Sequence, residues 1–429
     1  MAPQDPTTEA ATITHVVRRL GMGAGPVVAR ELLERGATVT DAIAAGLDLS
    51  TPASEPPPLD APTDLDLARM QELTDQTAWW VSRMASGERL IEERLVWFWT
   101  DHFATSRRKV PAPYLLWQQH LTIRRLATAS FADLLRAIAR DPAMLLYLDG
   151  VRNTASAPNE NFAREVMELH TLGEGAYTQT DVVEAARALT GWVIHVPGTR
   201  SAGQVTAQPG LEDLPPWTSG LATRRHDRGT KTILGSIAAH DLDSVIDLLL
   251  DQPATADHIA AKLFRELVGL DPEPAVVTEL ASGFRSDYAI LPLVEAIVAR
   301  PEFVAPNTIR ARVASPLEKA LTLIQAFGGV RAGSDLGRLF RTTAYVPFLP
   351  PNPAGYPKGE ELLGPYQLTH GLDLLWLVPE SLPDLDSTSA LATLGIHDPS
   401  PTTTEIVDRF DDAHSKLGAA LTAPEFVLT

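Results

Sequence analysis

The chain has 429 residues, of which 45% are hydrophobic and 21% charged, enough to bury one large core or two ordinary ones at about 100 to 200 residues per domain. A formal net charge of -18, from 36 Lys+Arg against 54 Asp+Glu, argues against nucleic acid and anionic membrane surfaces as partners. The absence of cysteine excludes disulfides, thiolate nucleophiles and sulfur-ligated metal sites, leaving His, carboxylate and carbonyl oxygen as the available ligands.

The N-terminal stretch carries Arg18-Arg19, but Glu31, Glu34 and Arg35 follow on a short amphipathic helix where an export signal needs an uninterrupted apolar run. No window reaches the roughly 18 apolar residues of a membrane span, so a cytoplasmic location is the default expectation. Ser50 to Pro62 is proline-rich and reads as a loop, because proline fixes φ and removes a backbone donor. Apolar residues then recur at helical spacing, as in Ile91, Leu95, Phe98 and Trp99, in Leu134, Leu135 and Ile138, and in Val294, Ile297 and Val298. The expected class is mainly α, a large multi-helix globular fold. Trp192 to His195 and Lys231 to Leu234 are short and rich in β-branched residues, and could pair as a small β-ribbon.

Residues 197–229 are rich in Gly, Ser, Pro and Thr and break the pattern. They divide the chain into an N-terminal helical half (1–196), an irregular connection (197–231) and a C-terminal helical half (232–429), which can also pack as one domain. Pro142, Pro253, Pro301 and Pro424 each follow the end of an amphipathic helix, a repeated device for stopping a helix and turning the chain.

The segment NENFAREVMELHTLG, Asn159 to Gly173, carries the densest unusual chemistry. At about 100° per residue, Glu160, Asn161, Arg164, Glu165 and Glu168 share one helical face, opposite Phe162, Ala163, Val166 and Leu169. A solvated face with Glu160 and Arg164 as an i,i+4 pair accounts for much of this arc. Upstream, Trp97-Phe98-Trp99-Thr100-Asp101-His102-Phe103 embeds an aspartate and a histidine in aromatic bulk, where each needs a partner. The functional reading joins His102 to Glu165 and Glu168 as ligands of a divalent metal ion or as an acid–base group. The alternative makes His102 a core histidine bonded across a helix contact. His170 falls about 140° from Glu165 and so does not share an ion with it. No HExxH, paired ExxH or EF-hand spacing occurs.

Downstream, Asp181 and Glu184 have the spacing of a helix N-cap and its capping-box partner, with Glu184 and Arg187 on one side. His226 to Gly235 mixes His, Asp and Lys around a glycine but lacks phosphate-loop spacing. Pro350 to Gly359, PPNPAGYPKG, is a rigid extended loop of the kind that covers a pocket or seals a core.

These segments carry a resemblance. HVVRRLGMGAG, FWTDHFATSRRKV, ARDPAMLLYLDG, APNENFAREVMELHTLGEGAYTQTDVVEAARALTGW, HDRGTKTILG and PPNPAGYPKG follow one another in the order seen in the bacterial DUF1800 family, which the chain resembles over nearly its whole length. Tyr356 stands where that family usually has tryptophan. The resemblance implies a fold and a motif map but no reaction, because the family's function is unknown.

Two functions compete on the residues. The first is an enzyme with Glu165 as base or ligand, Glu168 as ligand, His102 as proton carrier or ligand and Asn161 as orienting group, with Arg164 or Lys231 holding an anionic substrate. The second is a non-catalytic binding or assembly protein, with a small-molecule or protein ligand, in which the same face is a structural network.

Overall fold

The structure, a computed structural model, describes residues 8–23, 25–198, 214–328, 334–364 and 371–429. Helices dominate, as the periodicity requires. Helix α1 (Glu9–Leu20) is capped by the Thr8 side chain and buries Ile13, Val16, Val17 and Leu20 at i, i+3, i+4 and i+7. Its Arg18 and Arg19 are structural stitches: Arg18 donates to the carbonyls of Leu394 at 2.7 Å and Glu425 at 3.0 Å, and Arg19 to those of Thr429 at 2.7 Å and Thr308 at 3.2 Å.

Helix α2 (Leu90–His102) is buried on every face, Thr100 alone being partly open. A helix of this kind runs through a core, and its charged residues must find partners inside the protein. Helix α3 (Pro113–Leu126) packs beside it. The segment of densest polar chemistry forms helix α4 (Asn161–Met167), which passes into a π-turn over Glu168–Leu172. Helix α5 (Gln179–Ala188) follows, then α6 (Pro253–Val268) and α7 (Pro316–Phe327). Helix α1 packs against both α2 and α6. One hydrophobic cluster runs from Ile13 to Phe426 and includes the fully buried Trp80, Trp99, Trp117 and Phe131, each large apolar side chain stabilising the fold by about 1.5–3 kcal/mol.

The four prolines singled out above open new helical turns in each case, at Pro142, Pro253, Pro301 and Pro424, where the missing N–H costs nothing. The 48–64 and 348–358 runs are irregular. Of the irregular connection, positions 199–213 lie outside the described residues.

Two local expectations differ from what forms. The Trp192 and Lys231 segments do not pair with each other. β1 (Trp192–Ile194) pairs antiparallel with β2 (Ser219–Leu221), and β3 (Lys231–Ile233) with β4 (Ser236–Ala238). Leu234 and Gly235, at φ 48° and 82°, make a tight turn of the kind that joins neighbouring strands directly, so β3 pairs with the strand that follows it. The cap of α5 is Thr178, one turn earlier than expected. Asp181 is the capping-box partner: its Oδ2 accepts from Thr178 N at 2.9 Å, while its N–H donates to Thr178 Oγ1 at 3.2 Å. Asp181 Oδ1 also accepts from Leu234 N at 2.7 Å, which ties the β3–β4 hairpin to α5.

Candidate functional site

The buried charges of α2 open onto a cavity of about 290 Å³. Arg94, Trp97, Phe98 and Asp101, at i, i+3, i+4 and i+7, line one wall. Lys262, Arg265 and Glu266 of α6 line a second, Arg312 and Glu318 a third, and Tyr345, Tyr356 and Lys358 close the top.

The polar floor is an ion-pair network. Arg94 reaches Glu266 at 3.0 Å and Glu318 at 2.8 Å, and Arg312 bonds Glu318 and lies 3.7 Å from Glu266. Glu318 is also the capping-box residue of α7, its Oε2 accepting from Ser315 N at 2.8 Å. Burial alone would raise the Glu318 carboxyl, but Arg312 and Arg94 hold it well below the ordinary carboxylate range. The same carboxylates push Arg312 up against the opposing effect of burial. Two cations and two anions thus compensate each other.

The roof is the proline-rich loop, which covers the cavity. Asp101 pins it: Oδ1 accepts from Tyr356 N at 2.7 Å, and Oδ2 pairs with the Lys358 ammonium. Gly355 makes this approach possible, because its φ of 95° suits glycine and a Cβ there would collide with the Asp101 carboxylate. The Tyr356 ring stacks on Trp97 at 5.4 Å and 25°, and on Tyr345 at 4.9 Å and 23°. Both phenols donate to backbone carbonyls, Tyr345 to Pro357 and Tyr356 to Val346, and burial pushes both well above the ordinary phenol range, so they stay protonated.

Lys262 is different. Arg94 and Arg312 are matched by Glu266 and Glu318, Lys358 by Asp101, and Arg265 by Asp271. Among the described residues, Lys262 is the cavity cation with no carboxylate in ion-pair range. Its Nζ donates instead to His102 Nδ1 at 2.9 Å. Burial first, then the nearby Lys358 charge, pulls its pKa down to about 8, with Asp101 opposing.

The histidine that receives this bond is set by the end of the NENFARE segment. Gly173 N donates to Glu168 O at 3.1 Å, the i to i−5 bond of the π-turn. The His170 carbonyl pairs with His102 Nε2 at 3.2 Å, and the Leu169 carbonyl with His258 Nε2 at 3.3 Å. A carbonyl can only accept, so His102 Nε2 carries the proton and Nδ1 presents its lone pair to Lys262. Burial, and then Lys262, holds His102 well below its ordinary pKa. His170 and His258 are likewise pulled down, to about 3 and about 4, with burial the largest cause.

The other sequence-selected residues lie elsewhere. Asn161 Nδ2 donates to Asp149 at 3.4 Å, and Arg164 pairs with Glu160 at 2.8 Å, as the i,i+4 spacing predicts, and with Gln179. Glu168 accepts from the Tyr177 hydroxyl. Glu165 is half-buried, its carboxyl raised by burial and then by Glu168. None of Asn161, Arg164, Glu165 and Glu168 lines the cavity, and His102 lies behind its wall, meeting it through Lys262. Lys231 is turned inward and donates to the carbonyls of Asp227, Gly229 at 3.0 Å and His240 at 2.9 Å, leaving no donor for a substrate. The expected metal set of His102, Glu165 and Glu168 is not brought together: both His102 ring nitrogens are engaged, and among the described residues no group of three or more His, Asp or Glu is placed to hold an ion. Sequence reasoning missed Lys262. The available signal was its i+4 position from His258 on the face that also carries Arg265 and Glu266.

A family model described as "Protein of unknown function (DUF1800)" matches residues 15–428. The chain belongs to the DUF1800 family. No curated protein and no solved structure matches it, so membership carries no assigned reaction. The cavity and its lysine therefore have to be read from their own chemistry. Among the described residues, no helix is long and apolar enough to cross a membrane.

Proposed function

We propose that this DUF1800 protein is an enzyme acting on a small anionic molecule in the α2–α6 cavity, with Lys262 as the reacting acid–base group and His102 as the residue that positions it. The observation that carries this reading is Lys262 itself, a half-buried cation on a cavity wall, with no carboxylate in ion-pair range among the described residues and hydrogen-bonded to a neutral imidazole. A lysine near pKa 8 divides between ammonium and amine around neutral pH, as acid–base and nucleophilic work requires. The cavity is at the small end of the roughly 300–1,000 Å³ range of small-molecule sites. Its lining has five cationic residues, Arg94, Lys262, Arg265, Arg312 and Lys358, against three acidic ones, Asp101, Glu266 and Glu318. An overall charge of -18 confines attraction for anions to such a local site.

Isothermal titration of phosphate, benzoate and benzoylformate into the natural protein and into Lys262→Met tests the reading. Binding of at least one anion, lost in Lys262→Met, is expected. Equal affinity in both proteins contradicts it.

The arc on α4 supports the second reading for its own residues. Asn161, Arg164 and Glu168 all have internal partners, which favours a structural network there. Glu165→Ala should then lower thermal stability and leave anion binding unchanged.

A further inference from the structure

We infer that Lys262 is a Schiff-base lysine, and that the cavity takes a small 2-oxo acid whose carbonyl carbon is attacked by its Nζ. This rests on the assignment of Lys262 as the reacting group and deepens it by naming the substrate class.

The arrangement fits an iminium better than a simple proton carrier. A Schiff-base lysine must be a primary amine kept partly unprotonated, and its proton is disfavoured where it is desolvated beside other cations. Lys262 has no carboxylate in ion-pair range among the described residues, Asp101 acting on it only from farther off, and has Lys358 and Arg265 nearby. Those neighbours suit the carboxylate that a 2-oxo acid carries next to its carbonyl. Lys358 sits at the rim, its side chain 57% exposed and its ammonium paired with Asp101, where an entering anion would meet it. The Trp97–Tyr356 stack supplies a flat apolar wall for a planar substituent.

His102 completes the fit. The Nζ lone pair adds to the carbonyl carbon, and the resulting carbinolamine expels its oxygen as water while the C=N bond forms. Overall, the ammonium and the carbonyl become an iminium and one water. Two of the three ammonium hydrogens leave with the oxygen, and no oxidant or reductant is required. The iminium keeps one N–H and one positive charge. His102 Nδ1, held as an acceptor by the bond of Nε2 to the His170 carbonyl, is placed to accept that single N–H. A carboxylate in its place would hold Lys262 as ammonium and suppress the attack.

The test uses the natural full chain incubated at pH 7.5 with benzoylformate and sodium cyanoborohydride, followed by peptide mapping. Benzoate, which has the ring and the carboxylate but no ketone, serves as competitor. Saturable reductive alkylation of Lys262, suppressed by benzoate and absent in Lys262→Arg, supports the inference. Titratable, Lys262-dependent binding of benzoylformate with no adduct on Lys262 overturns the Schiff base and leaves the acid–base reading standing. Equal labelling of Lys262 and surface lysines, unaffected by benzoate, also overturns it. Binding of neither anion, together with an ordinary Lys262 pKa, removes both readings. The decisive readout is on the natural protein, so it does not depend on the variant folding.

Discussion

Acid should destabilise this protein early, and the size of the effect follows from its buried imidazoles. His15, His102, His120 and His170 are each at most 4% exposed and held below the ordinary histidine range, chiefly by burial. In the unfolded chain each titrates near its ordinary value of about 6.5. Below that pH the unfolded chain binds protons that the folded chain refuses, so stability falls as pH falls. The loss continues toward the folded values, about 3 for His15 and His170. Between pH 7 and pH 5 the His15 and His170 imidazoles each cost roughly 2 kcal/mol. Together these two cost roughly 4 kcal/mol, with His102 and His120 acting in the same direction, against a total stability of about 5–15 kcal/mol for a typical fold. Denaturant unfolding followed by tryptophan fluorescence at pH 7, 6 and 5 measures this. His120→Phe isolates one contribution. The His120 ring stacks 5.0 Å from Trp117 at 12° and lies 4.2 Å from Trp80, so a phenyl ring suits the site. The variant should lose stability more gently than the natural protein as the pH falls below about 6. A natural protein equally stable at pH 7 and pH 5, or a variant with the natural slope, refutes the reasoning.

Other consequences follow from the cavity. Glu318→Gln leaves Arg94 and Arg312 short of one counter-charge and should cost about 3–5 kcal/mol, seen as a lowered denaturation midpoint. Gly355→Ala forces a Cβ against Asp101 at a positive φ; it should destabilise by more than about 1 kcal/mol and weaken anion binding by loosening the roof. Lys231→Met removes a buried structural peg, so stability should fall while anion affinity stays unchanged. His102→Phe removes the acceptor that holds the Lys262 ammonium and should lower the Lys262 pKa by about one to two units. His102→Gln, whose amide oxygen can accept, should restore most of it, a rescue that a purely structural role would not produce.

The helical class was legible because apolar spacing survives packing unchanged, and Glu160–Arg164 and Glu184–Arg187 form as their spacing requires. The site was legible only in part. His102 and Asp101 stood out because charge among tryptophans needs a partner, whereas the proline-rich loop read equally as a pocket cover or a core seal. Lys262 did not stand out, because HIAAKLFREL has the pattern of any amphipathic helix with a solvated polar face. Individual contacts draw part of that face inward, Lys262 to His102 and Glu266 to Arg94 on α2. The arc on α4 is a different case: 100° per residue ceases to hold only for its last member, Glu168, where the helix widens into its π-turn after Met167. That turn's sequence carries no proline or glycine before Gly173 to announce it. Its use lies in its backbone, since the His170 carbonyl fixes the tautomer of His102, and no side-chain pattern encodes that.

The proposed chemistry requires Lys262 to be a depressed-pKa amine on a ligand cavity. The rate of Lys262 acylation by a dilute neutral reagent, followed by peptide mapping from pH 6 to pH 11, tests it most directly. The account predicts a titration midpoint near 8. A midpoint near the ordinary lysine value of about 10.4 would contradict it.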